Sequence, residues 1–215
     1  MQTSRLTRRE STELTRRRLI DGAIDILRHE GVAAATTGRI ASAAGLKQPS
    51  FYVHFADRDE ILHAAAVEIG QRMIETLQRE LSRIDAADAR RSIRAAHAAI
   101  VDAFLAEPEL TRIFLRHRAD DGTVLGRAFR RQLDQARGQI VDSVSRHGIA
   151  VPRQTAEAYV ELMVAAVLGL LEGLLDGRLT DRATSVDAIA RVTAAMMHSL
   201  SKASSTPSRE RRGGK

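Results

Sequence analysis

Residues 36–55 read TTGRIASAAGLKQPSFYVHF. A tight turn at Gly45 joins two short helices, and Pro49 falls in the first turn of the second helix, where its missing N–H costs little. Phe51 and Phe55 lie four residues apart and face inward. Polar side chains take most of the other positions of the second helix: Lys47, Gln48, Ser50, Tyr52 and His54. Two short helices with an apolar inner side and a polar outer side predict a helix-turn-helix that reads DNA.

The composition favours a folded, all-helical protein. The chain has 215 residues, of which 44% are hydrophobic and 3% aromatic, so it has enough apolar side chains for a core. Alanine and leucine abound, and β-branched runs of strand length are missing, which favours helices over sheets. The chain has no cysteine, which excludes disulfides, thiolate catalysis and cysteine-based zinc sites and fits a reducing compartment.

No membrane or secretory segment is expected. The basic N-terminal residues are not followed by the apolar core of a signal peptide. The most apolar run, residues 162–175, is interrupted by Glu172 and falls short of the roughly 20 residues that a membrane span needs. We therefore expect a cytoplasmic protein without membrane contact.

Positive charge is concentrated at the two ends of the chain. The net charge is +6, and residues 1–55 and 202–215 each carry +4. The first basic region coincides with the predicted helix-turn-helix, as binding to phosphates requires. Three arginines of the N-terminal arm either reach a minor groove or stay solvated: Arg5, Arg8 and Arg9. The last fourteen residues are expected to be a basic tail that keeps the protein soluble.

The helical periodicity predicts nine helices, three of them in the DNA-binding part. Thr37 caps the second helix, and Asp57 caps a long fourth helix with Glu60 three residues on. This long helix keeps an apolar face well beyond the helix-turn-helix, so it links that motif to a larger helical part. We expect a flexible basic arm at 1–11, a DNA-binding domain at 12–56, an effector-binding and dimerisation domain at 57–201, and a disordered basic tail at 202–215.

The chain resembles the TetR family of bacterial transcriptional repressors over essentially its whole length. Specific residues carry the resemblance: Gly31, Thr37, Ile40, Ala41, Ala44, Gly45, Leu46, the string from Gln48 to His54, Phe55, Ile61 and Leu62. Beyond about residue 85 only the number and lengths of the helices match. The resemblance implies a homodimer that binds a palindromic operator and is released when a small molecule fills its C-terminal domain. It implies no bond-making chemistry and no cofactor.

By position, the resemblance also implies roles for single residues. Base edges would be met by Gln48, Pro49 and Ser50. Backbone and phosphate contacts would come from Thr37, Arg39, Tyr52, His54 and Arg58, and the cation Lys47 suits a phosphate as well. Gly38 stands where some members have a base-reading arginine, so more of the specificity falls to the second helix of the motif.

A strip of small residues predicts the dimer interface. Ala165, Gly169 and Gly173 repeat every four residues, which lets another helix approach closely. Leu170 and Leu174 flank the strip. The resemblance places the interface on the last two helices, which adds Val192 and Met196. The alternative is close packing within one subunit.

Two histidines and several aromatic residues on inward faces are candidates for an effector pocket: His97, Phe104, Phe114, His117, Phe129 and Tyr159. Such pockets are mostly apolar with a few polar groups. Two alternatives remain for the histidines. They are ordinary core residues, or they bind a metal ion, for which a third ligand is not evident, so no metal site is predicted.

The sequence offers no enzyme motif: GxxxxGK[ST], GxGxxG, GxSxG and HExxH are all missing. The main alternative to a ligand-responsive repressor is a helical DNA-binding protein whose C-terminal domain only dimerises. A cavity of a few hundred Å³ in the C-terminal half would favour the repressor, and a solid core would favour the alternative.

Overall fold

A computed structural model describes residues 7–85, 87–147 and 151–204 of the chain. These residues form nine α-helices and no strand, which confirms the predicted all-helical class and the helix count. The helices are α1 Arg8–Glu30, α2 Thr37–Ala43, α3 Gln48–Phe51, α4 Arg58–Leu81, α5 Ala89–Leu105, α6 Pro108–His117, α7 Val124–Arg146, α8 Arg153–Leu175 and α9 Arg182–Ser204. A short 3₁₀ turn, Val32–Ala34, connects α1 to α2.

Helix α1 begins earlier than the sequence predicts. The Thr7 side chain accepts a hydrogen bond from the Glu10 N–H, and the Glu10 carboxylate accepts one from the Thr7 N–H at 2.7 Å. This capping box satisfies the backbone of the first turn. Residues 8–11, predicted to belong to a flexible arm, are therefore helical, and the prediction was wrong for them. Residues 1–6, including Arg5, lie outside the described residues.

The turn between α2 and α3 forms as predicted. The N–H of Leu46 donates to the Ala41 carbonyl at 2.8 Å, and the N–H of Gly45 donates to the Ser42 carbonyl at 2.9 Å. These two bonds form a Schellman motif, which requires the φ of +69° that Gly45 adopts. The cap at the other end of α2 differs from the prediction. Thr36, not Thr37, accepts a hydrogen bond from a backbone N–H of the first turn.

Helix α4 starts with the predicted cap. The Asp57 carboxylate accepts a hydrogen bond from the Glu60 N–H at 2.8 Å. The Glu60 carboxylate in turn accepts one from the Ala56 N–H at 2.6 Å. The second bond goes to the residue before the N-cap, so the pair differs from a capping box, but both bonds satisfy backbone N–H groups at the start of the helix. The helix then runs for 24 residues without a break.

The described residues form two compact units. The first contains the described residues up to Ile74 together with 104–133, and the second contains the described residues of 75–103 and from 134 onward. The boundaries differ from the predicted division at residue 56, because α6 packs on α1. There Arg28 donates two hydrogen bonds to Glu107, at 2.8 and 2.9 Å. The predicted domains were defined by their functions, DNA binding on one side and effector binding and dimerisation on the other. That functional division stays a prediction.

The core of the first unit's N-terminal part lies between α1, α2, α3 and the start of α4. The side chains that fill it are at most 1% exposed: Leu19, Ala23, Leu27, Ile40, Ala41, Phe51, Phe55, Ile61 and Leu62. The rings of Phe51 and Phe55 lie 5.8 Å apart, and the Arg16 guanidinium lies 4.7 Å from the Phe55 ring centre. The core thus buries the inner side of the reading helix, α3.

In the second unit, α8 packs against α9. Ion pairs from Arg94 to Asp187 and from Arg182 to Asp102 tie α9 to α5. Helix α8 spans 23 residues, and among the described residues it alone is long and apolar enough to cross a membrane. The prediction that no stretch has this length was wrong, because the helix extends back to Arg153, well before the run at 162–175. One such helix is weak evidence for a membrane span, because core helices of soluble proteins have similar lengths and compositions.

Two further predictions concern residues near the ends of the described segments. Helix α9 runs to Ser204, so the first residues of the predicted tail are helical. The remainder, residues 205–215, lies outside the described residues, as does Gly148, which was predicted to end α7.

Candidate nucleic-acid interface

The outer side of α2 and α3 forms one polar surface. The Gln48 Nε2 donates a hydrogen bond to the Thr37 hydroxyl at 3.2 Å, and the Tyr52 hydroxyl lies 3.5 Å from the same oxygen. Thr37 therefore links the two helices of the motif at their solvent-facing edge. The surface offers both donors and acceptors, as reading of base edges requires.

The predicted reading residues lie on this surface. Lys47, Gln48 and Pro49 are exposed, and Ser50 is half-buried. Tyr52 is 54% exposed, whereas its neighbour Phe51 is fully buried. The alternation agrees with the predicted division into an inner apolar side and an outer polar side.

Sequence reasoning overlooked one exposed residue in this region. Val53 is 78% exposed, directly after Tyr52. A side chain this exposed adds little to the core, and an apolar side chain suits the methyl group of thymine. The sequence does contain a sign of this position, because Val53 is a single apolar residue between the polar residues Tyr52 and His54.

The three cations of the region differ in the groups that they bind within the protein. Arg39 is exposed and pairs with Glu30. Among the described residues, Lys47 makes no ion pair, and its side chain is exposed. Arg58 is half-buried, and its guanidinium donates to the carbonyls of Ala35 and Val32, both at 2.7 Å. Five of the nine predicted DNA-contacting residues are exposed and the other four are half-buried, and among these four the Arg58 side chain is directed at the backbone.

One groove of about 580 Å³ lies in the first unit, beside the end of α2. Half of its ten lining residues are charged. The lining comes from three helices: Arg18, Asp21, Gly22, Ile24, Asp25 and Arg28 of α1, residues 43–45 at the end of α2, and Arg72 of α4. None of the predicted effector residues lines this groove. A charged groove of this kind is unlike the mostly apolar pocket that was predicted.

Three of the predicted effector residues pack against one another in the first unit. The Phe104 and Phe114 rings lie 5.8 Å apart, and the Phe114 and Phe129 rings 5.4 Å apart with nearly perpendicular planes. Phe114 and Phe129 are almost fully buried. Such edge-to-face contacts are those of a packed core. His117, also in this unit, is half-buried.

His97 is a core residue of the second unit. Its Nδ1 lies 2.9 Å from the Ile93 carbonyl, and its Nε2 lies 3.2 Å from the Thr193 hydroxyl. Burial lowers the pKa of the His97 imidazole, and the hydrogen bond to Ile93 only partly offsets this effect. The ring is therefore neutral at physiological pH, donating from Nδ1 and accepting at Nε2. This geometry supports the core alternative for His97.

The six predicted effector residues are not gathered in one unit. His97 and the half-buried Tyr159 belong to the second unit, and the other four belong to the first. The described part of the chain also contains no cluster of three His, Asp or Glu side chains arranged to hold a metal ion.

The predicted dimer strip divides into an exposed and a buried part. Ala165 and Gly169 are exposed, and a Cβ atom added at Gly169 would meet nothing within 4 Å. Gly173 is buried, and a Cβ there would lie 2.7 Å from the Leu179 side chain of the same chain. Gly173 thus follows the alternative of packing within one subunit, because Leu179 folds back over it. Leu170 is also buried, and Leu174 is half-buried.

Large apolar side chains are exposed on both α8 and α9. Leu162 on α8 is 64% exposed and Val192 on α9 is 54% exposed, whereas Met196 is half-buried. Leu162 was not predicted as an interface residue, although it lies one helical turn before Ala165. An exposed apolar face on two neighbouring helices is typical of a surface that another protein covers.

Comparison with known proteins gives consistent results. Residues 19–65 match the family described as bacterial regulatory proteins, tetR family. The nicotine-responsive transcriptional repressor HdnoR of Paenarthrobacter nicotinovorans is 33% identical over 99 residues, which are 46% of this chain and 48% of that protein. The chain therefore matches about half the length of this curated relative.

Solved structures resemble the whole fold. A putative TetR-family transcriptional regulator from Mesorhizobium loti has a TM-score of 0.68 and 14% identity, over 92% of this chain and 98% of that chain. The multidrug binding protein EbrR, solved in complex with imidazole, has a TM-score of 0.61 and 19% identity, over 82% and 93% of the two chains. At these identities the likeness extends to the fold and no further.

Proposed function

Because the chain belongs to the TetR family of bacterial transcriptional regulators, we propose that it is a repressor that binds a palindromic DNA operator as a homodimer. We further propose that a small molecule releases it from DNA. The single observation that carries the proposal is the α2–α3 surface, whose inner side is buried at Phe51 and whose outer side presents Gln48, Tyr52 and Lys47.

Base reading is assigned to the start of α3. Gln48, Pro49 and Ser50 come first in this helix, and N-terminal residues of a reading helix contact base edges. Gln48 supplies both an amide donor and an acceptor, the pattern that suits adenine in the major groove. Lys47, Thr37, Arg39, Tyr52 and His54 are assigned to the DNA backbone.

Two copies of the motif are needed for tight binding, since one short helix contacts few base pairs. We assign the homodimer to the exposed apolar face of α8 and α9, formed by Leu162, Ala165, Gly169 and Val192. Burying this face would remove apolar surface from water.

Release by a small molecule is supported by relatives. The named repressor is nicotine-responsive, and a structural neighbour binds multiple drugs. The chain is proposed to have no catalytic activity and to act in the cytoplasm, as a regulator of transcription must. No effector is assigned.

A second candidate function is a DNA-binding dimer without an effector. It is favoured by the packing of the Phe104, Phe114 and Phe129 rings against one another and by the satisfied hydrogen bonds of His97. Screening small molecules for release of the protein from its operator separates the two candidates, because only a ligand-responsive repressor binds a ligand differently in its two states.

The DNA-binding proposal is tested by selection from a library of random duplexes, followed by affinity measurements. We expect the selected sequences to contain an inverted repeat. Gln48→Ala should relax the base preference within each half-site, while Lys47→Gln should weaken binding to all sequences by a similar factor. Failure to enrich any sequence would refute the proposal, and unchanged base preference and affinity in both variants would refute the roles assigned to Gln48 and Lys47.

A further inference from the structure

We infer that Arg18 and Arg58 are positioning residues that hold the two ends of α2, and that neither is a phosphate contact. The inference rests on the proposed function in one respect, since it takes α2 and α3 as the DNA-reading element. It departs from the role that the family resemblance implied for Arg58.

Arg58 holds the segment that leads into α2. Its Nε and Nη2 each donate a hydrogen bond of 2.7 Å, to the carbonyls of Ala35 and Val32. Ala35 is fully buried and directly precedes Thr36, the N-cap of α2. The planar fork of a guanidinium reaches two carbonyls at once, which an ammonium group on a flexible stem does not reproduce.

Arg18 holds the other end of α2. Its Nη2 donates a hydrogen bond of 2.6 Å to the carbonyl of Ala44, the C-cap residue. A cation at this position also interacts favourably with the partial negative charge at the C-terminal end of the helix. A Cβ atom added at Gly45 would lie 2.9 Å from the same nitrogen, so Arg18 packs directly on the turn of the motif.

Helix α2 needs such support because it has only seven residues. Helices of this length are not stable on their own, so tertiary contacts fix their orientation. Arg18 belongs to α1, and Arg58 is the first residue of α4, so two long helices fix α2 at opposite ends. The orientation passes to α3 through the turn at Gly45 and the hydrogen bond between Thr37 and Gln48.

A guanidinium that is committed to backbone carbonyls releases no counterions from DNA. The salt dependence of binding counts the cations that neutralise phosphates, with a slope of roughly −0.9 for each in a plot of log affinity against log salt. A positioning arginine and a phosphate-binding arginine therefore give different slopes when they are replaced.

The first experiment uses the full-length protein without DNA. Hydrogen exchange is measured in residues 36–46 for the wild type, for Arg58→Lys and for Arg18→Lys, with Lys47→Gln as the matched control. We expect both arginine variants to exchange at least about tenfold faster in this segment, because a hydrogen bond from a charged group is lost. The control should exchange like the wild type. Unchanged exchange in both arginine variants would overturn the inference, whatever the protein binds.

The second experiment measures the salt dependence of affinity for a selected duplex. Arg58→Gln should bind that duplex about tenfold more weakly with an unchanged salt slope, and Arg58→Lys should behave alike. Lys47→Gln should reduce the slope by about 0.9. If Arg58→Gln reduces the slope by that amount and Arg58→Lys restores it, Arg58 binds a phosphate and the inference is wrong. If the wild type binds no duplex, the proposed function fails, and hydrogen exchange alone decides the inference.

Discussion

Replacing Phe51 tests whether α3 presents the inner side that the structure describes. Phe51 is fully buried, and its ring centre lies 5.3 Å from that of Tyr52 and 5.8 Å from that of Phe55. Truncating a buried phenylalanine to alanine removes the apolar area of the ring and leaves a cavity, which costs about 3–5 kcal/mol. Phe51→Ala should therefore lower the free energy of unfolding by about 3–5 kcal/mol.

Val53 supplies the matched control, two residues further along the chain. Its side chain is 78% exposed, so Val53→Ala should change the free energy of unfolding by less than about 0.5 kcal/mol. Phe51→Leu, which keeps most of the volume, should cost less than about 1.5 kcal/mol. The expected order of destabilisation is Phe51→Ala, then Phe51→Leu, then Val53→Ala.

Urea unfolding followed by far-ultraviolet circular dichroism gives these values. All variants are compared at one protomer concentration, because the stability of a dimer depends on it. If Val53→Ala costs as much as Phe51→Ala, or if Phe51→Ala costs less than about 0.5 kcal/mol, the assignment of Phe51 to the buried side of α3 and of Val53 to an exposed position after it is wrong.

Three further predictions concern other parts of the chain. Because burial lowers the pKa of His97, the unfolded chain binds this proton first, so the wild type should lose stability below pH about 6.5 more steeply than His97→Gln; parallel profiles would refute the burial of a neutral ring. A tryptophan at Gly169 should give monomers in sedimentation, while one at Gly138, where an added Cβ also meets nothing within 4 Å, should leave the dimer intact; a persistent dimer in the first variant would move the interface elsewhere. In Gly70→Ala the new Cβ would lie 2.5 Å from the Gln132 Cγ, so this variant should be about 1–3 kcal/mol less stable than expected from the gain of roughly 1 kcal/mol that alanine has over glycine in a helix. Adding Gln132→Ala should recover part of that loss, and strictly additive effects would argue against the contact.

The sequence was sufficient for features that depend on neighbouring residues. The turn at Gly45 and the cap at Asp57 follow from local chemistry, and both formed as predicted. The same local logic would have found the start of α1, because Thr7 and Glu10 have the spacing of a capping box. The prediction of a flexible arm rested on the positive charge of these residues and did not use the capping signal.

Side-chain partners far apart in the sequence were not predictable. Arg58 bonds to carbonyls 23 and 26 residues away, and nothing in its sequence context distinguishes this use from a phosphate contact. Periodicity placed Phe114 and Phe129 on inward faces, which the burial of both rings confirms. An inward face is common to a pocket wall and a solid core, however, so the pattern did not distinguish the two.

The assembly of compact units also depended on long-range packing. The pairing of Arg28 with Glu107 joins α1 to α6 across 79 residues, and helical periodicity contains no information about such partners. In the small-residue strip of α8, Gly169 is exposed and its place in a dimer interface stays a prediction, whereas Gly173 is covered by Leu179 of the same chain. Which side of a small residue is covered depends on the chain that follows.

We propose that the α2–α3 surface reads double-stranded DNA in two symmetric copies. The most direct test measures the affinity of the full-length protein for a selected duplex across a range of salt concentrations, together with the number of protomers bound. We expect two protomers on each inverted repeat and an affinity that falls steeply as the salt concentration rises. Binding that is absent for every duplex, or that does not respond to salt, would contradict it.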